Sequence, residues 1–161
     1  MDLKDLPKAY EALQKKYTLP TYTDLNNEFE LLYISATLAS LDFPLRFIRR
    51  RMADRIANAV GYLQSILQPN PGSFVLMRES SFFNTDEKLK IGELLQQFLT
   101  LERTSFVLDL QGDEQKDAHY IHDTFKQWLV LKKVYATFVT QLPDHWKQQE
   151  EKKVVRNQYM G

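Results

Sequence analysis

The chain has 161 residues, 43% hydrophobic and 26% charged, with 21 basic side chains against 21 acidic ones; that is enough for one domain with a real core and too evenly charged to coat nucleic acid by bulk charge, although it leaves a local basic patch open. There is no cysteine, which excludes disulfides, thiolate metal sites and cysteine nucleophiles. The polar start MDLKDLPKAY has no apolar h-region and no run of about 18 apolar residues occurs, so the expectation is a cytoplasmic protein without a membrane segment, its zero net charge favouring association with a partner or with itself.

Residues 3–17 predict a short amphipathic helix. Leu3, Leu6, Tyr10, Leu13 and Tyr17 are spaced 3, 4, 3, 4, a heptad seam. Asp5 can cap its start, and Pro7 suits a first turn, where a missing N–H loses no helical partner. Leu19-Pro20 ends it. Thr21 is set to cap a second helix, with Asp24 at the positive end of its dipole. Leu25, Phe29, Leu32, Tyr33 and Ala36 make one face, so this helix is expected to reach about Ser40.

Asp42-Phe43-Pro44 breaks the chain, with Asp42 as a cap and Pro44 in the first turn of the next helix. Residues 43–68, FPLRFIRRRMADRIANAVGYLQSILQ, predict about 39 Å of helix at ~1.5 Å per residue. Leu45, Ile48, Met52, Ile56, Ala59, Leu63 and Ile66 fall on one stripe. The segment holds five of the eight arginines. Arg46 and Arg50 share one flank. Arg51 and Arg55 share the other, with Tyr62 further along, and Arg49 lies at the edge of the apolar stripe. Asp54 faces away from the core and can serve Arg50 or Arg51, but one carboxylate cannot satisfy five guanidiniums.

Gln68-Pro69-Asn70-Pro71-Gly72-Ser73 predicts a turn between long helices, and residues 74–83 a short helix or buried loop over the end of the bundle. Asn84 with Glu87 has a capping-box pattern, opening a helix to about Gln111 with Ile91, Leu94, Leu95, Phe98, Leu99, Leu101 and Phe106 on its apolar face. Glu102 and Asp109 fall near the centre of that face with Ser105 between them. Isolated buried carboxylates are expensive, so they should find cations, donors or solvent. Gly112 stops this helix and Asp113 begins the last long one. There Ile121, Thr124, Trp128, Leu131, Tyr135, Phe138 and Leu142 repeat at 3, 4, 3, 4, 3, 4 until Pro143. The expected architecture is all-α, an antiparallel helical bundle of four long helices with short accessory helices. Residues 1–143 make a single helical domain, and residues 144–161 a charged C-terminal helix or flexible tail.

Three constellations bear on function. Arg46, Arg50, Arg51 and Arg55, with Tyr62, are interaction or phosphate-binding candidates, because arginine forks match phosphate oxygens and both residue types are enriched at interfaces. Residues 43–68 carry a local +4, and residues 105–124, with Asp109, Asp113, Glu114, Asp117 and Asp123 against Lys116, a local −4. An internal or partner-protein network is therefore preferred to phosphate. Only Phe47 is interleaved among the arginines, which counts against stacking on single strands. Arg49, Glu102 and Asp109 are candidates for a buried charge network; their functional version would be a tuned carboxylate, but no second catalytic group has the right spacing. His119, His122 and Asp123 could meet one metal ion, yet both histidines fall on the solvent face, without the buried support that good sites have. No HExxH, paired carboxylate-x-x-His or GxSxG pattern occurs, so no catalytic residue and no cofactor is expected.

In layout, FIRRRMADRIANAVGYLQSIL, the proline turn and NTDEKLKIGELLQQF resemble the helical domain of GINS-type replication subunits, over less than half of the chain and without the small β domain of that family. The first expectation is a small helical interaction protein, an adaptor or complex subunit, with a protein partner or as a homo-oligomer. The alternatives are a nucleic-acid-associated protein using the Arg46–Arg55 face and a metal-binding helical protein using His119 and His122.

Overall fold

The computed structural model describes residues 5–31 and 43–148. All regular structure among them is helical: α1 (Asp5–Tyr17), α2 (Tyr22–Phe29), α3 (Pro44–Leu67), α4 (Phe74–Ser80), α5 (Thr85–Asp109) and α6 (Glu114–Val139), followed by helical residues 142–148. No helix among them is long and apolar enough to cross a membrane. α3 is the axis of the fold and touches each of the other five helices. Its stripe Leu45, Ile48, Met52, Ile56, Ala59, Leu63 and Ile66 is buried throughout.

Local signals set most helix ends. Asn84 accepts from the Glu87 N–H while the Glu87 carboxylate takes the Asn84 N–H, both at 2.9 Å, the reciprocal capping box expected. Asp113 caps α6 through the N–H groups of Gln115 and Lys116, and Thr21 caps α2 through that of Asp24. Gly112, at φ +65°, supplies the left-handed residue after α5. Pro44 opens α3 from position N1 with no side-chain cap, as the fixed φ of proline allows; Asp42, the expected cap, lies outside the described residues. α1 ends with Thr18 at φ 53° and the Leu19 N–H reaching back to Gln14 O at 3.1 Å.

Long-range pairs fix the directions. Arg49 of α3 meets Ser105 near the end of α5, and Leu67 at the end of α3 lies beside Gly92 near the start of α5. α5 therefore runs antiparallel to α3. Tyr120 of α6 donates to Leu101 O at 3.0 Å and the Phe98 and Tyr135 rings meet at 6.1 Å, so α6 runs antiparallel to α5. α1 and α2 pack across α3, and Tyr10, fully buried, ties α1 to the chain by donating to Pro20 O at 2.7 Å. α4 is the short helix that residues 74–83 allowed, and the buried Ser80 hydroxyl at its end donates to Ile66 O at 2.6 Å, satisfying a terminal carbonyl of α3.

Three expectations are corrected. The second helix stops at Phe29, because Glu30 turns left-handed (φ 53°, ψ 50°). The stop is tertiary in origin. Arg51 of α3 donates to Phe29 O at 3.1 Å, where the negative end of α2 attracts a cation. The rest of the expected helix, residues 32–40, lies outside the described residues. α6 ends at Val139 and not at Leu142, which begins the helical residues 142–148. Phe106, assigned to the apolar face of α5, is 50% exposed, with the Arg103 guanidinium 5.0 Å from its ring centre.

Candidate functional site

The basic run of α3 is held by carboxylates on three other segments. Arg49, the largest fully buried side chain, is gripped on all sides. Its Nε donates to Asp117 at 2.6 Å, its Nη1 to the Ser105 carbonyl at 2.6 Å and hydroxyl at 2.5 Å, and its Nη2 to Asp109. Arg50 Nε also donates to Asp109, at 2.9 Å. Arg46 Nε lies 3.9 Å from Asp117, and its guanidinium sits over the Phe43 ring. On the other flank Arg51 and Arg55 reach the Glu30 carboxylate at 3.9 and 3.6 Å. All five arginines therefore have an acid within 4 Å. Asp54, expected to serve this run, is exposed and makes no ion pair with it. Tyr62 is half-buried and donates to Glu79 at 3.2 Å, which also accepts from Trp146 Nε1 at 3.1 Å.

Of the expected network, Arg49 and Asp109 meet and Glu102 does not join them. Helical phase gives the direction of a side chain but not its height against the next helix. Glu102 is buried beside Arg103, 3.4 Å from its guanidinium without hydrogen-bond geometry, and its Oε2 has no hydrogen-bond partner. The member that the sequence reading missed is Asp117, which is 3% exposed. Its position continues the α6 seam one step back, as 117, 121, 124, 128, so the signal was a carboxylate on a core stripe.

The two carboxylates on Arg49 respond oppositely to their surroundings. At Asp117 burial outweighs Arg49 and Arg46 and holds the carboxyl above its ordinary value. At Asp109 burial acts in the same sense, but the hydrogen bonds from Arg49 and Arg50 prevail and hold the carboxyl below it. Linkage sets the signs. Asp109 contributes stability that is present above its unfolded value, near pH 3.8, and lost as the pH falls through the depressed folded value. Asp117 contributes stability that is present below pH 3.8 and lost as the pH rises through the raised one. Asp109→Asn is therefore expected to lose most against the wild type at neutral pH and little in acid. Asp117→Asn should gain on the wild type as the pH rises out of the acid range. Urea unfolding of both variants from acid to neutral pH checks this; parallel trends in the two would contradict it.

His119 and His122 do not converge on open space. Both turn to the one carboxylate of Asp123, Nε2 of His119 at 3.0 Å and Nδ1 of His122 at 2.9 Å. No group of three or more His, Asp or Glu side chains able to hold an ion occurs among the described residues.

The less expected surface is the outer side of α5. Its inward residues Ile91, Leu94, Phe98, Leu101 and Ser105 are buried. Opposite them run Leu89, Glu93, Gln96, Thr100, Arg103, Val107 and Leu110, spaced 4, 3, 4, 3, 4, 3 and all exposed. This second seam was legible as a heptad repeat, but the more apolar inward stripe hides it. Leu89 is 64%, Val107 52% and Leu110 89% exposed. The hydroxyls of Thr100 and Thr104 donate to the carbonyls of Gln96 and Thr100 at 3.0 and 2.8 Å, so their polar atoms are turned onto the helix itself. Gln96, Leu99, Thr100, Arg103, Thr104 and Val107, all of α5, border an open and nearly flat stretch of this face. A groove of about 340 Å³ separates α5 from α6, between Leu101, Thr104 and Leu108 on one side and Lys116, His119 and Tyr120 on the other.

No protein-family model matches the chain, and no curated protein or solved structure is significantly similar to it. The likeness in layout to GINS-type helical domains rests on the quoted segments alone.

Proposed function

We propose that the chain is a helical interaction protein, an adaptor or complex subunit, that docks a protein through the outer face of α5. The observation that carries this reading is the set of large apolar side chains held outward by α5 and its C-cap, Leu89, Phe106 and Val107 on the helix and Leu110 just after it, each at least half exposed. Exposed apolar side chains amid polar ones are what interaction sites present; here they gather at residues 106–110, with Leu89 apart from them and the polar Glu93, Gln96, Thr100 and Arg103 between. The pairing of the arginines points the same way. A phosphate bound by Arg46, Arg50, Arg51 or Arg55 would have to compete with carboxylates already in place, whereas α5 offers apolar area without breaking any ion pair of α3. The test is purification of the chain from its own cells beside Val107→Glu and Leu110→Glu forms. The expected result is one stoichiometric companion, protein or second copy, retained by the wild type and lost by the variants at unchanged unfolding midpoint. A wild type that elutes alone and as a monomer overturns the reading.

A further inference from the structure

We infer that the occupant of the outer face of α5 is the same face of a second copy, with the two α5 helices antiparallel about a twofold axis. The inference rests on the reading of α5 as a docking face and adds its partner and register. The outward seam is close to a palindrome of chemistry. In the register that places Gln96 against Thr100 of a second copy, Leu89 faces Val107 and Glu93 faces Arg103. By symmetry each of these pairs occurs twice, as an isologous contact requires. Asp86 and Leu110, which stand opposite each other beyond these pairs, are not complementary, so the match is confined to residues 89–107. Apolar residues toward the ends, opposite charges inside them and short or neutral side chains at the crossing make an antiparallel pair self-consistent; a parallel pair would set Glu93 on Glu93 and Arg103 on Arg103, like charge against like.

The two charged groups differ in how free they are. Glu93 is exposed and makes no ion pair among the described residues; the Arg103 side chain is 59% exposed, and to meet Glu93 of the second copy its guanidinium must share or leave its contacts with Glu102 at 3.4 Å and with the Phe106 ring. The 3,4 spacing keeps the seam facing a partner helix along its length. Glu93 and Arg103 stand on the seam itself and not on its flanks, so their pairing selects orientation at a cost in stability, and Leu89 and Val107 supply the attraction. A single helix pair sits at the low end of stable interface sizes, near 1,200 Å² in total, so the dimer is expected to exchange with monomer in the micromolar range.

Light scattering and sedimentation of the full chain across that range should show a monomer–dimer equilibrium. Glu93→Arg alone, or Arg103→Glu alone, opposes like charges twice and should weaken the dimer at least about tenfold. The double exchange Glu93→Arg with Arg103→Glu should restore it, since it swaps the pair without changing the register. The chain has no cysteine, so introduced thiols report the register directly. Gln96→Cys mixed with Thr100→Cys should give the mixed disulfide under mild oxidation. A wild type that stays monomeric, a double exchange that fails to rescue, or a Gln96→Cys disulfide with itself in preference to Thr100→Cys each overturns the inference. A monomeric protein that still loses another companion on Val107→Glu would remove the second copy and leave the docking face standing.

Discussion

Replacing Arg49 by methionine is expected to destabilise the fold by about 3–5 kcal/mol, the range for removing one partner of a buried ion pair. Methionine fills much of the same volume, so a cavity is not the main loss. What remains is a carboxylate, Asp117, with its side chain only 4% exposed and its nearest remaining cation Arg46 at 3.9 Å. The Ser105 hydroxyl and carbonyl also lose their donor, and a buried group left without a partner keeps its full desolvation penalty. Asp109 suffers less, because Arg50 still donates to it. In a chain of this size the melting temperature should fall by about 6–20 °C, at roughly 2–4 °C per kcal/mol. Removing all the charges should behave differently. Arg49→Met with Asp109→Leu and Asp117→Leu is expected to recover most of the loss, since a well-packed apolar replacement of a buried ion network is often neutral or better. Urea midpoints at unchanged m-value measure both. A small effect from Arg49→Met, or no recovery in the triple variant, would mean that the network is not what joins α3, α5 and α6 at this end.

Where the sequence could be read and where it could not follows the range of the forces involved. Capping is local, so Thr21, Asn84 with Glu87, Asp113 and Gly112 could be assigned from neighbours in the chain. The α3 stripe was equally legible, because burial of a long helix writes its period into one segment. Arg49 was marked as a charge at the edge of an apolar stripe and Asp109 as a carboxylate on one. Their meeting, and the absence of Glu102 from it, depends on the height at which α5 stands against α3, which no single helix encodes. The stop after Phe29 was illegible for the same reason. The apolar period continued into Leu32 and Tyr33, and the cation at the end of α2 comes from Arg51, 22 residues away. The basic run was the most conspicuous feature of the sequence, and it is largely occupied by the chain's own acids. The outer seam of α5 was present in the same residues at the same period, but a polar heptad does not stand out until the opposite face is known to be buried.

Trp128→Ala should come close to Arg49→Met in effect, with a loss of about 3–5 kcal/mol. The indole is buried on α6, with the Phe29 ring of α2 centred 5.3 Å away and the Phe98 ring of α5 at 5.9 Å. It is therefore where three helices share one apolar contact, and truncation opens a cavity bordered by all of them. Its Nε1 also donates to Glu28 at 2.8 Å, a carboxylate that Lys132 reaches with contacts of 3.0 and 2.8 Å. Trp128→Phe separates the two contributions. It keeps most of the ring contact and drops the donor, while Glu28 retains Lys132, so a loss of about 1–2 kcal/mol is expected, one hydrogen bond to a charged group plus a small packing defect. Burial tends to raise the Glu28 carboxyl, but the Lys132 and Trp128 hydrogen bonds hold it below its ordinary value. By linkage, the donor's share of stability is present at neutral pH and fades as the pH falls through that depressed value. The gap between wild type and Trp128→Phe should accordingly narrow in acid, whereas the further gap between Trp128→Phe and Trp128→Ala, which is apolar contact alone, should not. If both gaps move together with pH, the indole nitrogen is not the link between α2 and α6.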